Sequence, residues 1–147
     1  MSKKICVVGA GYWGSNHIKT LIELEALKGV VEPNIGLLES LSSENHDIKI
    51  HSTIENALME NYDGFTIATP AETHYEIAKK IISHGKHALI EKPMTLSIKE
   101  AESLVSIAEQ KKVNVMVGHV LLFHPAIKKI KELINNNSIG RLQYIYS

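Results

Sequence analysis

Ile5-Cys6-Val7-Val8-Gly9-Ala10-Gly11-Tyr12-Trp13-Gly14 is the stretch on which the fold turns. Its first four residues are apolar without polar alternation, as in a strand buried on both faces of a parallel sheet. The six that follow match G-x-G-x-x-G. That hexapeptide alone is a weak signal, but here it follows a strand and opens a helix, which is the context the motif requires. Gly9 is expected to make the tight turn, Gly11 to let a pyrophosphate approach the backbone beside Tyr12 and Trp13, and Gly14 to let the helix pack closely on the strand. The anion then sits at a helix N-terminus, where unpaired N–H groups and the helix dipole favour it by about 0.3–1 kcal/mol. The competing reading is three glycines that make a turn and nothing more.

Outward from this stretch, short β-branched runs alternate with longer amphipathic segments. This is the pattern of βαβ units in an α/β, doubly wound parallel sheet (a Rossmann fold) with helices on both faces. Strands are expected at 4–8, 29–32, 48–51, 64–69, 88–91 and 114–118, and helices from near Gly14, Gly36, Thr53, Thr73, Ser97 and Pro125. The best-marked helix is Ile98–Lys111, because Ser97-Ile98-Lys99-Glu100 reads as a capping box and Ala101, Leu104, Val105 and Ala108 recur at helical spacing. Pro125 suits the first position of the last helix, Ile127, Ile130, Leu133 and Ile134 form its stripe, and Asn135-Asn136-Asn137 with Gly140 end it. Residues 141–147 alternate like a strand entering a new sheet. The expected organisation is a dinucleotide-binding domain over 1–140 and the first strand of a truncated second domain over 141–147.

A length of 147 residues fits one domain, or one and a fragment, at roughly 100–200 residues per domain. Hydrophobic residues at 44% and charged residues at 22% argue against disorder. Sixteen Lys and Arg balance sixteen Asp and Glu, so no basic field gathers nucleic acid or an anionic membrane. The N-terminus lacks the apolar segment of a signal peptide, and a cytoplasmic location is expected. A single cysteine, Cys6, excludes an intrachain disulfide and a cysteine zinc cluster; it reads as a buried small hydrophobe, against the alternative of a reactive thiol.

Two further places carry chemistry. Glu32 ends the second expected strand, 18 residues after Gly14 (32 − 14), close to the offset of about 20 at which an acid binds the adenosine ribose. A carboxylate there accepts from ribose hydroxyls and repels a 2′-phosphate, and residues 33–36 offer no cation to pair with one, so NAD is favoured over NADP. The alternative is an ordinary turn glutamate before Pro33. Glu91-Lys92-Pro93 follows the fifth strand, at the carboxyl edge where open parallel sheets bind ligands. A lysine there, beside a cationic nicotinamide, is suited to exchange protons with a substrate hydroxyl; the alternative is a surface lysine paired with Glu91. Among the eight histidines, His17, His46, His51, His84 and His87 read as helix-face, cap or turn residues. His74 is open between cofactor contact and capping, and His119 ends a strand on the crevice side, near the nicotinamide. None makes a metal site.

The Gly9–Gly14 fingerprint, Ala68-Thr69-Pro70 with His74, Glu91-Lys92-Pro93, and Gly118-His119 leading to Phe123-His124-Pro125 together resemble the glucose-fructose oxidoreductase / inositol dehydrogenase (Gfo/Idh/MocA) family over essentially the whole chain. The resemblance implies its N-terminal nucleotide-binding domain. It implies that Lys92 touches both the nicotinamide ribose and the substrate hydroxyl, with Glu91 and Pro93 as its motif partners, and that Thr69, Pro70 and His74 line the cofactor groove. Within the family, Gly11–Gly14 with Asn16, and Gly118–Pro125, look most like the branch that oxidises the 3-hydroxyl of UDP-linked N-acetylated sugars. Many relatives carry Arg where this chain has Leu122. Family members continue into an open-faced β-sheet domain that supplies substrate contacts and the homo-oligomer interface. The expected activity is that of an NAD-dependent sugar dehydrogenase, with the 147 residues inactive alone. The alternative from another class is a free-standing NAD-binding redox sensor, which has no need of Lys92.

Overall fold

The computed structural model describes residues 3–34, 36 and 47–146. Six strands form one sheet: β1 (Ile5–Val8), β2 (Leu27–Val31), β3 (Lys49–His51), β4 (Gly64–Ile67), β5 (His87–Ile90) and β6 (Val115–Val117). Their spatial order is β3-β2-β1-β4-β5-β6 and every ladder is parallel. The chain therefore winds outward from β1 to β3, returns to lay β4 on the other side of β1, and winds outward again. This is the doubly wound order of the Rossmann fold, and it opens a crevice beyond the carboxyl ends of β1 and β4. Among the described residues the helices between them are α1 (Tyr12–Glu23), α2 (Ile54–Leu58), α3 (His74–Ser83) and α4 (Ile98–Lys111), with α5 (Pro125–Asn135) after β6.

Period-two alternation sorts the strand residues onto two cores. Cys6, Val8, Val31, Phe65, Ile67, Ala88 and Ile90 face Ile81 and Ile82 of α3 and Leu104 of α4. Val7 and Val30 face the other way, onto Ile18 of α1 with Leu27. Both sides of β1 are thus covered, which explains why its sequence shows no polar alternation. Each fully buried isoleucine contributes about 1.5–3 kcal/mol relative to exposure. Burial pushes the Cys6 thiol far above its ordinary value, and Cys6 is wholly inaccessible, so it is a core residue and not a reactive thiol.

Element boundaries differ from the sequence expectation in instructive ways. Helix α1 begins at Tyr12, two residues before the expected start, because Gly11 is the extended N-cap (φ −66°, ψ −164°); Gly14 consequently lies inside the helix. Helix α4 spans the expected residues, and Ser97 is its extended N-cap, but the capping-box hydrogen bond is not made. The Ser97 carbonyl accepts from the Ala101 N–H instead, at 3.1 Å, and sets the boundary without help from the hydroxyl. Side-chain caps occur at Thr53, which accepts from Asn56 N–H, and at His124, which accepts from Ala126 N–H. The helix expected from Gly36 and residue His46 lie outside the described residues.

The last thirty described residues are unlike the rest. No residue of α5 is buried, although its apolar stripe is well formed, and Ile127 and Ile130 are exposed. Residues 141–146, expected to enter a sheet, carry no strand. Among the described residues no helix is long and apolar enough to cross a membrane.

Candidate cofactor site

The crevice is built by the first glycine loop meeting the end of β4. Gly9 has φ +91°, and a Cβ there would lie 2.8 Å from the Ala68 carbonyl oxygen. A Cβ at Gly14 would run into the carbonyl of Gly9. These two glycines serve the protein's own packing. Gly11 is different: a Cβ there meets nothing within 4 Å. The space it leaves open faces outward, at the N-terminus of α1, whose first N–H groups lack intrahelical partners and receive no side-chain cap.

This loop forms one wall of a cavity of about 660 Å³, inside the range of small-molecule and cofactor sites. Gly9, Gly11, Tyr12 and Trp13 line it on one side, Glu32, Pro33 and Asn34 at the end of β2, and Thr69, Pro70 and Thr73 after β4. Tyr12 and Trp13 are exposed and meet edge to face, ring centroids 5.7 Å apart. Glu32 is 8% exposed. Its Oε2 accepts from the Ala10 N–H at 2.8 Å and its Oε1 from the Asn34 N–H at 3.0 Å. A carboxylate can accept about four hydrogen bonds, so acceptor capacity remains for two ribose hydroxyls. Among the described residues no Lys or Arg lines the cavity, so a 2′-phosphate beside Glu32 meets an acid and no cation there. The donor set fits an adenine dinucleotide without that phosphate.

A smaller cavity of about 110 Å³ continues the first, sharing Trp13, Ala68 and Thr69 and reaching His74, Glu91 and Lys92. Lys92 is exposed, and the Lys92–Pro93 peptide is cis. Its Nζ stands 6.0 Å from the centroid of the Trp13 ring. The pairing of Lys92 with Glu91 is not found. Glu91, 6% exposed, instead accepts from Nε2 of His17 at 2.8 Å and, through its other oxygen, from the backbone N–H of Lys92 at 3.2 Å.

His74 neither caps its helix nor offers a ring nitrogen to a ligand. It is 1% exposed, with Nδ1 2.7 Å from the carbonyl oxygen of Pro93 and Nε2 2.9 Å from that of Thr69. It ties the loop after β4 to the loop after β5 from beneath the groove. His119 is exposed and lines neither cavity. Sequence reasoning missed His17. The available signal was its spacing: three residues after Gly14, it shares the helix face that looks onto the sheet edge. No group of three or more His, Cys, Asp or Glu among the described residues is placed to hold a metal.

A parallel sheet in this order, a glycine loop opening a helix and an acid at the end of β2 define a dinucleotide-binding domain. Residues 3–119 match the oxidoreductase family with an NAD-binding Rossmann fold, and the chain belongs to that family. It is 31% identical over 126 residues to the UDP-N-acetylglucosamine 3-dehydrogenase of Acidithiobacillus ferrooxidans, covering 86% of this chain and 40% of that enzyme. The solved structure of that dehydrogenase superposes with a TM-score of 0.82 at 29% identity, covering 90% of this chain and 42% of the other. Glucose-6-phosphate 3-dehydrogenase of Bacillus subtilis is 30% identical over 142 residues, covering 95% of this chain and 40% of that enzyme. The WlbA dehydrogenase of Bordetella pertussis, in complex with NADH and UDP-GlcNAcA, shares the fold at a TM-score of 0.87 and 21% identity, covering 95% of this chain and 41% of its own. The chain thus spans about 40% of the length of the curated relatives it matches.

Proposed function

We propose that this chain is the cofactor-binding part of an NAD-dependent dehydrogenase acting on a sugar hydroxyl, with a UDP-linked N-acetylated hexose as substrate. The observation that carries the reading is Lys92. Its side-chain Nζ belongs to a residue on the carboxyl edge of the sheet, in a cavity continuous with the dinucleotide crevice, and makes no hydrogen bond or ion pair among the described residues. The acid before it in sequence, Glu91, is engaged by His17 and by the backbone N–H of Lys92. The 31% identity to a UDP-N-acetylglucosamine 3-dehydrogenase supports the substrate class.

In this reading the N–H groups of the glycine loop hold the pyrophosphate and Glu32 holds the adenosine ribose. NAD supplies the hydride acceptor when bound. Lys92, acting as the neutral amine, takes up the proton of the sugar hydroxyl and becomes the ammonium as the hydride leaves the carbon that bears that hydroxyl, and the crevice wall of Thr69 and Pro70 sets the orientation. The substrate wall is assigned to the part of the relatives' length that this chain does not span.

The test is single-turnover hydride transfer by the full-length enzyme, at saturating NAD and UDP-N-acetylglucosamine. Lys92→Met should leave cofactor affinity nearly intact and lower the rate about 10²- to 10⁴-fold. A melting curve removes folding defects from the comparison. Reaction within a few-fold of the parent would reduce Lys92 to a groove residue.

A further inference from the structure

Behind Lys92 runs a chain of hydrogen bonds that the cofactor and proton-transfer roles do not use. His17 stands in the second turn of α1, the helix that opens on Gly11. Its Nε2 lies 2.8 Å from Oε1 of Glu91, and the two side chains are 22% and 8% exposed. The other carboxylate oxygen accepts the backbone N–H of Lys92 at 3.2 Å. A carboxylate only accepts, so the geometry assigns the proton of His17 to Nε2. Gly118 closes the back of the pair, since a Cβ there would lie 3.1 Å from both Glu91 oxygens. One residue further along, the Pro93 carbonyl is met by the buried ring of His74. The backbone is therefore held on both sides of a lysine whose own side chain makes no hydrogen bond or ion pair among the described residues and stands over the Trp13 ring.

We propose that His17 is a positioning residue for Lys92. Acting through Glu91, it fixes the backbone from which the lysine reaches into the crevice, and it does so from the helix whose N-terminus receives the pyrophosphate. Cofactor loop and proton-transferring lysine are thereby referenced to one rigid element. The arrangement matters because a displacement of about 1 Å at a reacting group costs on the order of 10²-fold in rate. A lysine stem of four rotatable carbons can hold such a tolerance only if its root is fixed. This inference rests on the reading of Lys92 as the proton-transferring group and adds the residue that places it.

The experiment uses the 147-residue chain without cofactor, so that its outcome does not depend on NAD binding. Imidazole ¹⁵N spectra should show the His17 proton on Nε2; a proton on Nδ1 with Nε2 bare overturns the proposal without any variant. Amide exchange at Lys92 should quicken about tenfold or more in His17→Leu relative to Lys28 of β2, and stay within about twofold of the parent in His17→Gln, whose side-chain amide reaches the same acceptor. Unchanged Lys92 exchange in a folded Leu variant, or equal loss in both variants, overturns it. If the Leu variant does not fold, the tautomer and the Gln variant decide. A separate NAD titration tells the two readings apart. A chain that keeps these Lys92 signatures but binds no NAD refutes the proposed function alone. A chain that binds NAD with Lys92 indifferent to His17 refutes the positioning role alone.

Discussion

Glu32 carries two duties that a substitution can separate. In the proposed binding mode its carboxylate faces a 2′-phosphate, and it also accepts the N–H of Ala10, inside the glycine loop. The parent chain should bind NAD at least about tenfold more tightly than NADP, a difference of about 1.4 kcal/mol. Glu32→Gln keeps a carbonyl acceptor for Ala10 and removes the charge, so it should narrow that gap while leaving the fold intact. Glu32→Ala leaves the Ala10 N–H without its partner, which costs about 1–3 kcal/mol of stability where the group stays buried, and should weaken both cofactors. Calorimetric titration with each dinucleotide, beside urea melts, separates these outcomes. Equal affinity of the parent for NAD and NADP sinks the argument. At this scale the sequence was legible where a residue's place follows from position along one strand, as for Glu32 and Lys92, which both stand at the carboxyl edge of the sheet. It was silent where partners lie far apart in the chain, as for His17 and Glu91 across 74 residues. His74 misled for the same reason, because only the folded backbone brings the carbonyls of Thr69 and Pro93 to its two ring nitrogens.

Among the elements, α4 shows how a single buried residue anchors a helix. Leu104 is fully inaccessible and packs in the core cluster under β4 and β5, whereas its neighbour Val105 is 49% exposed. Leu104→Ala should cost about 2–5 kcal/mol by equilibrium unfolding, and Val105→Ala should stay within about 0.5 kcal/mol of the parent. Comparable losses at both sites would mean that α4 does not dock through this stripe. A second prediction concerns β3. His51 is buried, with Nε2 2.8 Å from the hydroxyl of Tyr62. Burial lowers its pKa from the ordinary 6.5; Glu60 opposes the shift and Lys49 adds to it. The unfolded chain then binds the proton more readily than the folded one. Stability is therefore full above pH 6.5 and falls as pH drops toward the folded-state value, by at most about 1.4 kcal/mol per pH unit from this group. Unfolding free energies across that window should show the slope, and His51→Gln should flatten it. The strands and most helices were readable because apolar period and glycine punctuation are local properties. The start of α1 was not, because Gly11 at the N-cap and Gly14 within the helix look alike in sequence and differ only in what their missing Cβ would strike.

At the scale of the molecule, the chain divides into a well-packed sheet with its crevice and a C-terminal stretch whose apolar residues lack cover among the described residues. Leu121, Leu122 and Phe123 are each about three-fifths exposed, the stripe of α5 faces no core, and the smaller cavity around Lys92 opens to solvent beside Trp13. A dehydrogenase needs its sugar held against the nicotinamide within a near-attack distance of about 3–3.5 Å. That requires a second wall over the crevice, and the described residues provide only one. The 147-residue chain should therefore bind NAD but not reduce it when supplied with UDP-N-acetylglucosamine, UDP-N-acetylgalactosamine or a free hexose. The measurement is dinucleotide reduction followed by absorbance at saturating NAD, with binding established first by calorimetry so that absence of turnover is not absence of cofactor. Steady reduction above the rate of the Lys92→Met chain would show that this single wall suffices, and the assignment of substrate contacts to a second domain would fall with it.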